Sequence, residues 1–579
     1  MRQLSVADYF VEFLIANNVT DVFGYQGGMI AYIFDSLGKY RDKIKYHSCA
    51  TEQGAALAAC GYAQATHKLG VAISTSGPGF TNMITGIANA WCDSVPVLFV
   101  SGNVNTKDKK RDRNVRQFGF QEIQSISIAE SITKQTYEVE LNQDYKRIFE
   151  NAYTIAMSGR KGPVFIDLPI NICREQVSVE AINRTDIKEN IQLFQDSDEI
   201  FDNILNNLFF SKKPIIIAGA GIKQENLVNE FRQVINILQV PVVSTLPAVD
   251  IISSDSEYML GYIGGTSRRE SGIALQNADF VLTVGTRLCS KQIGHNMDLF
   301  VPKAKKIYRV DIDKGELARK VKDEETQIQM DLKYFVRGFL SYLRKKEYLP
   351  RHLEWKSRCH EMCIALEKFD MTMGNLIVKH ITNYLPDDAN IVLDVGKNLT
   401  YCGQSAIIKE HTRLYMSAGL GTMGYALPAA IGIYYGNRKS TYVIMGDGGA
   451  QMNIQELNTI VKNKLPITII VLNNKALGNI RIFQEQYLES RYVATSEKEG
   501  DYFSCDFQKI GESYGMTSKS VNIEMNTINN ICIGEQGMTE IIYDDCKVLP
   551  GIVAGGNYLG KNMGLNSETI TKIRNLMDF

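Results

Sequence analysis

The sequence predicts an α/β protein built from three doubly wound parallel-sheet domains, and three observations carry that expectation. The chain has 579 residues, too many for one hydrophobic core and suited to about three domains of ~150–200 residues each. Short apolar runs of strand length alternate with stretches of helical spacing, the rhythm of βαβ units. No short repeat or low-complexity tract interrupts that alternation.

Composition narrows the function classes. Lys plus Arg number 63 against 64 Asp plus Glu, so no overall field favours nucleic acid or an anionic membrane surface. The N-terminus "MRQLSVADYFVEFLIANN" has acidic residues inside its apolar pattern and no basic start or cleavage signal, and it reads as a first helix. No stretch approaches the ~20 uninterrupted apolar residues of a membrane span, so a soluble protein is expected. Eleven cysteines, an odd number in a long chain, fit reduced thiols in a cytoplasm. Cys359 and Cys363 flank His360 without a second ligand pair, and read as helix-surface thiols rather than a tetrahedral metal site.

The elements follow in order. In residues 1–175 the candidate strands are "GVAIST", "VPVLFVSG" and "GPVFIDLP". The polar segment "VSVEAINRTDIKENIQLFQDSDE" loses the rhythm and reads as a linker. Residues 190–340 hold four candidate strands, in "KKPIIIAGAGI", "VPVVSTLP", "ADFVLTVGTRL" and "KKIYRVDID". The charged stretch "LRKKEYLPRHLEWKSRCHEM" reads as a solvated helical connector. Residues 370–545 form the third unit, with strands in "NIVLDVG", "STYVIMGDGG" and "LPITIIVLNN", and 546–579 form a C-terminal tail.

The chemistry concentrates in "GDGGAQMNIQ", where the run "TYVIM" delivers Gly446, Asp447, Gly448 and Gly449 to a helix start. Bare amides at a helix N-terminus attract an anion. A carboxylate there would repel phosphate unless a cation lies between them, and Mg²⁺ is the natural bridge. One strand later, "ITIIVLNN" ends in Asn473 and Asn474, offering an amide oxygen at the same sheet edge 27 positions after the aspartate. A metal–diphosphate site and an ordinary strand-to-helix turn both satisfy this pattern taken alone.

The spacing of GDG to "NN" resembles the thiamine diphosphate fingerprint. The surrounding "GDGGAQMNIQELNTIVKNKLPITIIVLNNKALGNIR" resembles the acetolactate synthase (acetohydroxyacid synthase) large-subunit branch of thiamine diphosphate-dependent enzymes. "VFGYQGG", "TEQGAALAACGYAQAT", "TSGPGFTN", "GRKGPVFIDLP" and "GLGTMGYALPAAIG" match the same family in its order, over roughly residues 1 to 520. The resemblance implies the decarboxylase/acetolactate synthase fold: a pyrimidine-side domain, a central nucleotide-binding-like domain and a diphosphate-side domain. It also implies roles. Glu52 would hold the pyrimidine nitrogen and drive the tautomer that activates the cofactor, its apolar setting raising its pKa. The Gly421 carbonyl would receive the 4′-amino group and Met423 would support the bent cofactor. Asp447, Asn474 and the Ala476 carbonyl would hold Mg²⁺. Gly396, Lys397 and Asn398, with Gly448 and Gly449, would meet the diphosphate, although the family has Gln-His where this chain has Lys397 and Asn398. Phe120, Gln121 and Lys134 keep the donor-site pattern, Gln121 and Lys134 as catalytic groups beside Glu52. FAD, structural in role, is implied by Arg160, Gly219, Gly221, Gly285, Arg287, Asp311 and Asp313. A homodimer or homotetramer is implied, with a small regulatory subunit as an open partner.

The departures lie on the acceptor side. Lys291 stands where an arginine would grip an acceptor carboxylate, and lysine lacks the two-point fork. Phe483 matches a tryptophan that favours larger acceptors. Thr51, Gln26 and Asn103 replace a His, a Pro and a Gln of the family. The expected activity is decarboxylation of pyruvate with transfer of the two-carbon unit to a second 2-oxo acid, giving 2-acetolactate. Transfer to a nucleotide-linked ketosugar in polysaccharide synthesis, and an inactive cofactor-binding or regulatory subunit, stay open.

Overall fold

A computed structural model describes the chain except residues 112, 188–196, 370–371, 535, 548–564 and 578–579. Three six-stranded sheets form the body, every strand in them paired parallel to its neighbours. The first runs, edge to edge, Lys45–Ser48, Asp21–Gly24, Gly70–Ser74, Val97–Asn103, Val164–Pro169 and Gln135–Glu138. The third runs Arg413–Met416, Asn390–Leu393, Thr441–Gly446, Ile467–Asn473, Gly537–Ile542 and Ser518–Asn522. Numbered within each domain, both follow the order 2-1-3-4-6-5. The middle sheet differs: Met259–Tyr262, Val242–Ser244, Pro214–Ala218, Phe280–Val284, Lys306–Asp311 and Glu325–Gln329. Its order is 3-2-1-4-5-6, the Rossmann arrangement.

Central strands are buried on both faces, as helices covering a parallel sheet require; Ile467–Asn473 and Val97–Asn103 are buried at every position. Helix Glu52–Thr66 of the first domain packs on helix Ala426–Asn437 of the third in one continuous core. The contact is backbone-close because the facing residues are small. A Cβ on Gly61 would strike the Ala429 carbonyl, and one on Gly432 the Ala58 carbonyl.

Four expectations change. The chain opens with a strand, Arg2–Ser5, before helix Val6–Ala16, and the strand pairs antiparallel with Gln176–Val179. The first residues of the expected linker are therefore sheet; its centre, 188–196, lies outside the described residues. The charged connector is no solvated helix: Leu353–Glu367 buries Trp355, Cys359, Met362 and Leu366 against the middle domain, and the Trp355 indole donates to the Pro214 carbonyl at 3.1 Å. Cys359 is thus a core thiol. Finally, the tail ends in helix Ser567–Met577, whose Ile573 and Met577 complete that same core, with Lys213 donating to the Met577 carbonyl at 2.9 Å.

Candidate active site

In the third sheet the strand order reverses between Asn390–Leu393 and Thr441–Gly446, and ligands bind outside the carboxyl ends of strands at such a switch point. Those two ends, with the neighbouring end of Ile467–Asn473, deliver residues 394–398, 446–449 and 473–476 to one place. Asp447 starts helix Asp447–Met452 and is 2 % exposed. The Tyr502 hydroxyl donates to its Oδ2 at 3.0 Å. Burial pushes its carboxyl up to about 6, and among the described residues no cation pairs with it. A buried carboxylate in that condition calls for a positive charge. Asn474 donates its amide to the Cys546 thiol at 3.3 Å, which leaves its oxygen for a metal. The Ala476 carbonyl accepts from the Gly478 amide at 2.9 Å. A Cβ on Gly448 would meet Leu477, Tyr502 and, at 3.4 Å, the Met423 methyl, so bare backbone lies beside Met423. These groups fit a magnesium diphosphate: hard oxygens, glycine backbone without side chains and an apolar support.

The loop carrying Gly421 and Met423 is held from both sides. Asp93 of the first domain accepts from Ala418 (3.1 Å) and Gly419 (2.6 Å), and the Ser417 hydroxyl donates to the Asn89 oxygen at 2.6 Å. At the other end Asp394 accepts from Val395, Gly424 and Ala426, each at 2.9 Å, and Asn453 donates to the Gly424 carbonyl at 2.8 Å. Between the clamps Gly421, with φ of 75°, has open space where a side chain would begin. Asp394 also touches the metal segment, since a Cβ on Gly449 would lie 2.5 Å from its Oδ1. Burial pushes both aspartates up to about 6. Neither was expected from sequence. The signal for Asp394 was its place at the carboxyl end of a strand, just before a glycine turn; Asp93 ends a helix and gave none.

The first domain tells a different story for Glu52. Thr51 caps helix Glu52–Thr66 by accepting from Gly54 at 3.0 Å. Glu52, at the first helical position, is half-buried, with Asn82 donating to Oε2 at 2.9 Å. The apolar run after it faces helix Ala426–Asn437 rather than the carboxylate, so the burial expected around Glu52 is not supplied by one chain. A third residue missed in the sequence positions it. Glu456, fully buried, accepts from the Ala50 amide (3.1 Å) and the Thr51 amide (3.2 Å), and fills the notch that Gly54 leaves.

Gln121 has a left-handed backbone (φ 64°) against Gly77, and Phe120 is 77 % exposed. Lys134 departs from the expected donor-site role. Its ammonium donates to the Ile155 carbonyl and, at 2.8 Å, to the Ser158 carbonyl, tying down the end of helix Tyr145–Met157, and burial lowers its pKa to about 8. Asn103 likewise serves the fold, donating to Asp167 at 2.7 Å. Gln26 accepts from its neighbour Gly27 at 3.2 Å. Asn398 spends its amide on the Asp394 (2.6 Å) and Ile444 (3.1 Å) carbonyls, joining two strands rather than facing outward. Gly396 and Lys397 remain at the open end of helix Lys397–Ser405.

The middle sheet has its own switch point, between Pro214–Ala218 and Phe280–Val284. There Gly219 and Gly221 donate to the Val284 (2.8 Å) and Gly285 (3.1 Å) carbonyls, and a side chain on Gly219 would strike Gly285. A cavity of about 500 Å³ opens beside this turn, lined by Gly221, Gly285, Arg287, Lys291 and Asp311, and it extends to Gly421. Arg160 reaches its wall from the first domain and pairs with Asp313 at 2.6 Å. Burial raises the Asp311 carboxyl. Lys291 is exposed on helix Ser290–Ile293. Phe483, 52 % exposed on helix Gly478–Tyr487, rests against Tyr487 with ring centroids 5.0 Å apart.

Three family models match along the chain: the thiamine pyrophosphate enzyme N-terminal TPP binding domain over residues 4–128, the central domain over 202–339, and the C-terminal TPP binding domain over 394–532. The chain is 31% identical to the acetolactate synthase isozyme 2 large subunit of Escherichia coli (strain K12), over 89% of this chain and 90% of that one. It is 32% identical to the acetolactate synthase large subunit of Lactococcus lactis, over 92% of both. It is 30% identical to the probable acetolactate synthase large subunit of Methanocaldococcus jannaschii, over 95% and 94%. With a parallel sheet and a family match in each of the same three places, the chain belongs to the acetolactate synthase large-subunit family of thiamine pyrophosphate enzymes.

Proposed function

We propose that the chain decarboxylates pyruvate on thiamine diphosphate and joins the two-carbon unit to the carbonyl of a second 2-oxo acid, releasing CO₂ and giving 2-acetolactate from two pyruvates. The buried Asp447 carboxylate, paired with no cation among the described residues and gathered with Asn474 and Met423 at the switch point, carries this reading. When bound, the cofactor supplies a carbon nucleophile and an electron sink for the decarboxylation. The chain's own residues do the rest. Asp447, Asn474 and the Ala476 carbonyl would hold Mg²⁺, and Gly448 and Gly449 would let the backbone approach the phosphates. The Gly421 carbonyl would accept from the 4′-amino group and Met423 would support the rings. Glu52 would hold a proton toward the pyrimidine nitrogen, and Gln121 and Phe120 would border the donor.

A second copy of the chain belongs to this reading. Glu52 stays half-buried in one chain, and exposed aromatics flank the site loops, with Phe118, Phe120, Phe483 and Phe503 between 51% and 77% exposed. A homodimer, or a pair of them, would cover them. The relatives are named large subunits, which adds a small partner subunit to the proposal. FAD fits the cavity beside Gly219, Gly285 and Arg287 through the Rossmann order of the middle sheet, with a structural role. A reducing cytoplasm suits eleven free cysteines, and no described helix is long and apolar enough to cross a membrane.

One observation favours a second acceptor: a lysine at position 291 gives a point charge where a carboxylate would be gripped by a fork, which a nucleotide-linked ketosugar does not need. The test is CO₂ release from labelled pyruvate, with pyruvate, 2-oxobutyrate and nucleotide-linked 4-ketosugars competing as acceptors. Saturable acetolactate formation supports the first acceptor, and dominant transfer to sugar the second. Absence of CO₂ release from protein loaded with thiamine diphosphate and Mg²⁺ would leave only a silent subunit. Glu52→Gln should keep the fold and cofactor binding and lower turnover by orders of magnitude.

A further inference from the structure

A stretch well beyond the glycine–aspartate motif returns to the metal segment. After helix Gly478–Tyr487 the chain runs back over the end of strand Ile467–Asn473. The Leu477 amide donates to the Thr495 carbonyl at 2.8 Å, the Glu497 amide donates to the Lys475 carbonyl at 3.0 Å, and Ala476 and Ser496 form an antiparallel bridge. Arg481 fastens the return by pairing with Glu499 at 3.1 Å. Residues 501–504 then alternate between exposed and covered positions, the habit of extended chain. Asp501 and Phe503 are exposed, Tyr502 is half-buried and Ser504 is buried. Both covered hydroxyls meet the strand ends of the site: Ser504 donates to Asn473 Oδ1 at 2.9 Å, and Tyr502 donates to Asp447 Oδ2 at 3.0 Å. Gly448 leaves room for the second bond, since a Cβ there would lie 3.3 Å from the tyrosine oxygen.

A hydroxyl donated to one carboxylate oxygen occupies part of its lone-pair capacity and fixes the rotation of the group. Mg²⁺ demands a near-ideal octahedron, which a carboxylate gripping through both oxygens distorts, whereas Ca²⁺ is larger and accepts either mode. We propose that Tyr502 is a positioning residue for the metal: it holds Asp447 Oδ2, so that Oδ1 alone is offered to the ion, and the site thereby favours Mg²⁺ over Ca²⁺. The inference rests on the thiamine diphosphate reading of this site and adds a residue that acts on the metal only through Asp447. The same return pairs with Ala476, whose carbonyl is another expected ligand, so one stretch of chain orders two of the three.

The test is calorimetric binding of thiamine diphosphate to the full-length protein at stepped concentrations of Mg²⁺ or of Ca²⁺. The wild type should reach half-saturation at lower Mg²⁺ than Ca²⁺. Tyr502→Phe removes the hydroxyl alone, and should raise the Mg²⁺ needed for half-saturation about tenfold, the scale of a lost hydrogen bond behind a metal ligand. The Ca²⁺ requirement should stay nearly unchanged, because the freed Oδ2 can join its coordination. That change of ratio is a readout that a merely structural role would not move, since general loosening of the site weakens both ions alike. An unchanged Mg²⁺ requirement in Tyr502→Phe, or equal weakening with the two ions, would overturn the assignment. So would parity of the two ions in the wild type, a result that needs no variant to fold. Failure of the wild type to bind thiamine diphosphate with either ion would instead remove the reading of the site itself.

Discussion

Asp394→Asn separates the stability of this protein from the geometry of its site. Asp394 is fully buried and accepts three backbone amides at 2.9 Å, two on Oδ1 and one, from Ala426, on Oδ2. Burial has raised its carboxyl from 3.8 to about 6, so holding the charge at pH 7 costs on the order of 3 kcal/mol, at about 1.4 kcal/mol per unit. Asparagine removes that cost and keeps an oxygen for Val395 and Gly424. It also turns an NH₂ group toward the Ala426 amide, and one buried unsatisfied donor costs roughly 1–3 kcal/mol. The terms nearly cancel, so unfolding stability at pH 7 should change by less than about 2 kcal/mol while the loop loses its fastening at Ala426. Hydrogen exchange over residues 417–428 should accelerate, and thiamine diphosphate affinity should fall about tenfold. The pH sign follows from the raised folded-state value. Between about pH 4 and 6 the folded chain holds more protons than the unfolded one, so this contribution to stability declines as pH rises through that window and is flat above it; the variant lacks the decline. Unchanged exchange with unchanged affinity, or a loss of more than about 5 kcal/mol, would refute the reasoning.

Glu456→Gln leaves one oxygen for the Ala50 and Thr51 amides, and should loosen the start of the Glu52 helix by about 1–3 kcal/mol, read as faster exchange at residues 50–54 and a lower kcat with little change in cofactor affinity. Gly432→Ala places a methyl group against the Ala58 carbonyl and should destabilise the first and third domains together by about 1–3 kcal/mol or more, seen as a single lowered thermal transition. Lys291→Arg should raise acetolactate formation and lower the KM for the acceptor pyruvate; no improvement would favour a neutral ketone acceptor. Asp447→Ala should abolish Mg²⁺-dependent binding of thiamine diphosphate, measured by calorimetry.

The sheets were most legible where strands are buried on both faces, because mostly apolar residues occupy such positions: "VPVLFVSG", "TYVIM" and "ITIIVL" all lie in central strands. Edge strands were not. Gln135–Glu138 and Ser518–Asn522 carry polar residues on exposed positions, and no described position of either is fully buried. Asp447 and Asn474 could be placed at neighbouring strand ends from sequence because apolar strands and glycine turns bracket them. Asp93, Asp394 and Glu456 were not, since each accepts amides distant in sequence and its partner cannot be named before the fold exists. Lys134 and Asn398 show the reverse error. A side chain at the expected place in a motif is free for a ligand only if the backbone around it does not use it first.

The first and third sheets share one strand order, and in each the helix following the second strand, Glu52–Thr66 or Ala426–Asn437, lies against its counterpart. The contact is reciprocal: Gly61 sits on the Ala429 carbonyl while Gly432 sits on the Ala58 carbonyl. Reciprocity of this kind marks a two-fold pairing of like units, here contained in a single polypeptide. The two α/β units thus correspond turn for turn, one presenting Glu52 and the other Met423. Because backbone meets backbone at its axis, the two helices have little room to slide past one another, which should hold the two specialised turns at a fixed separation.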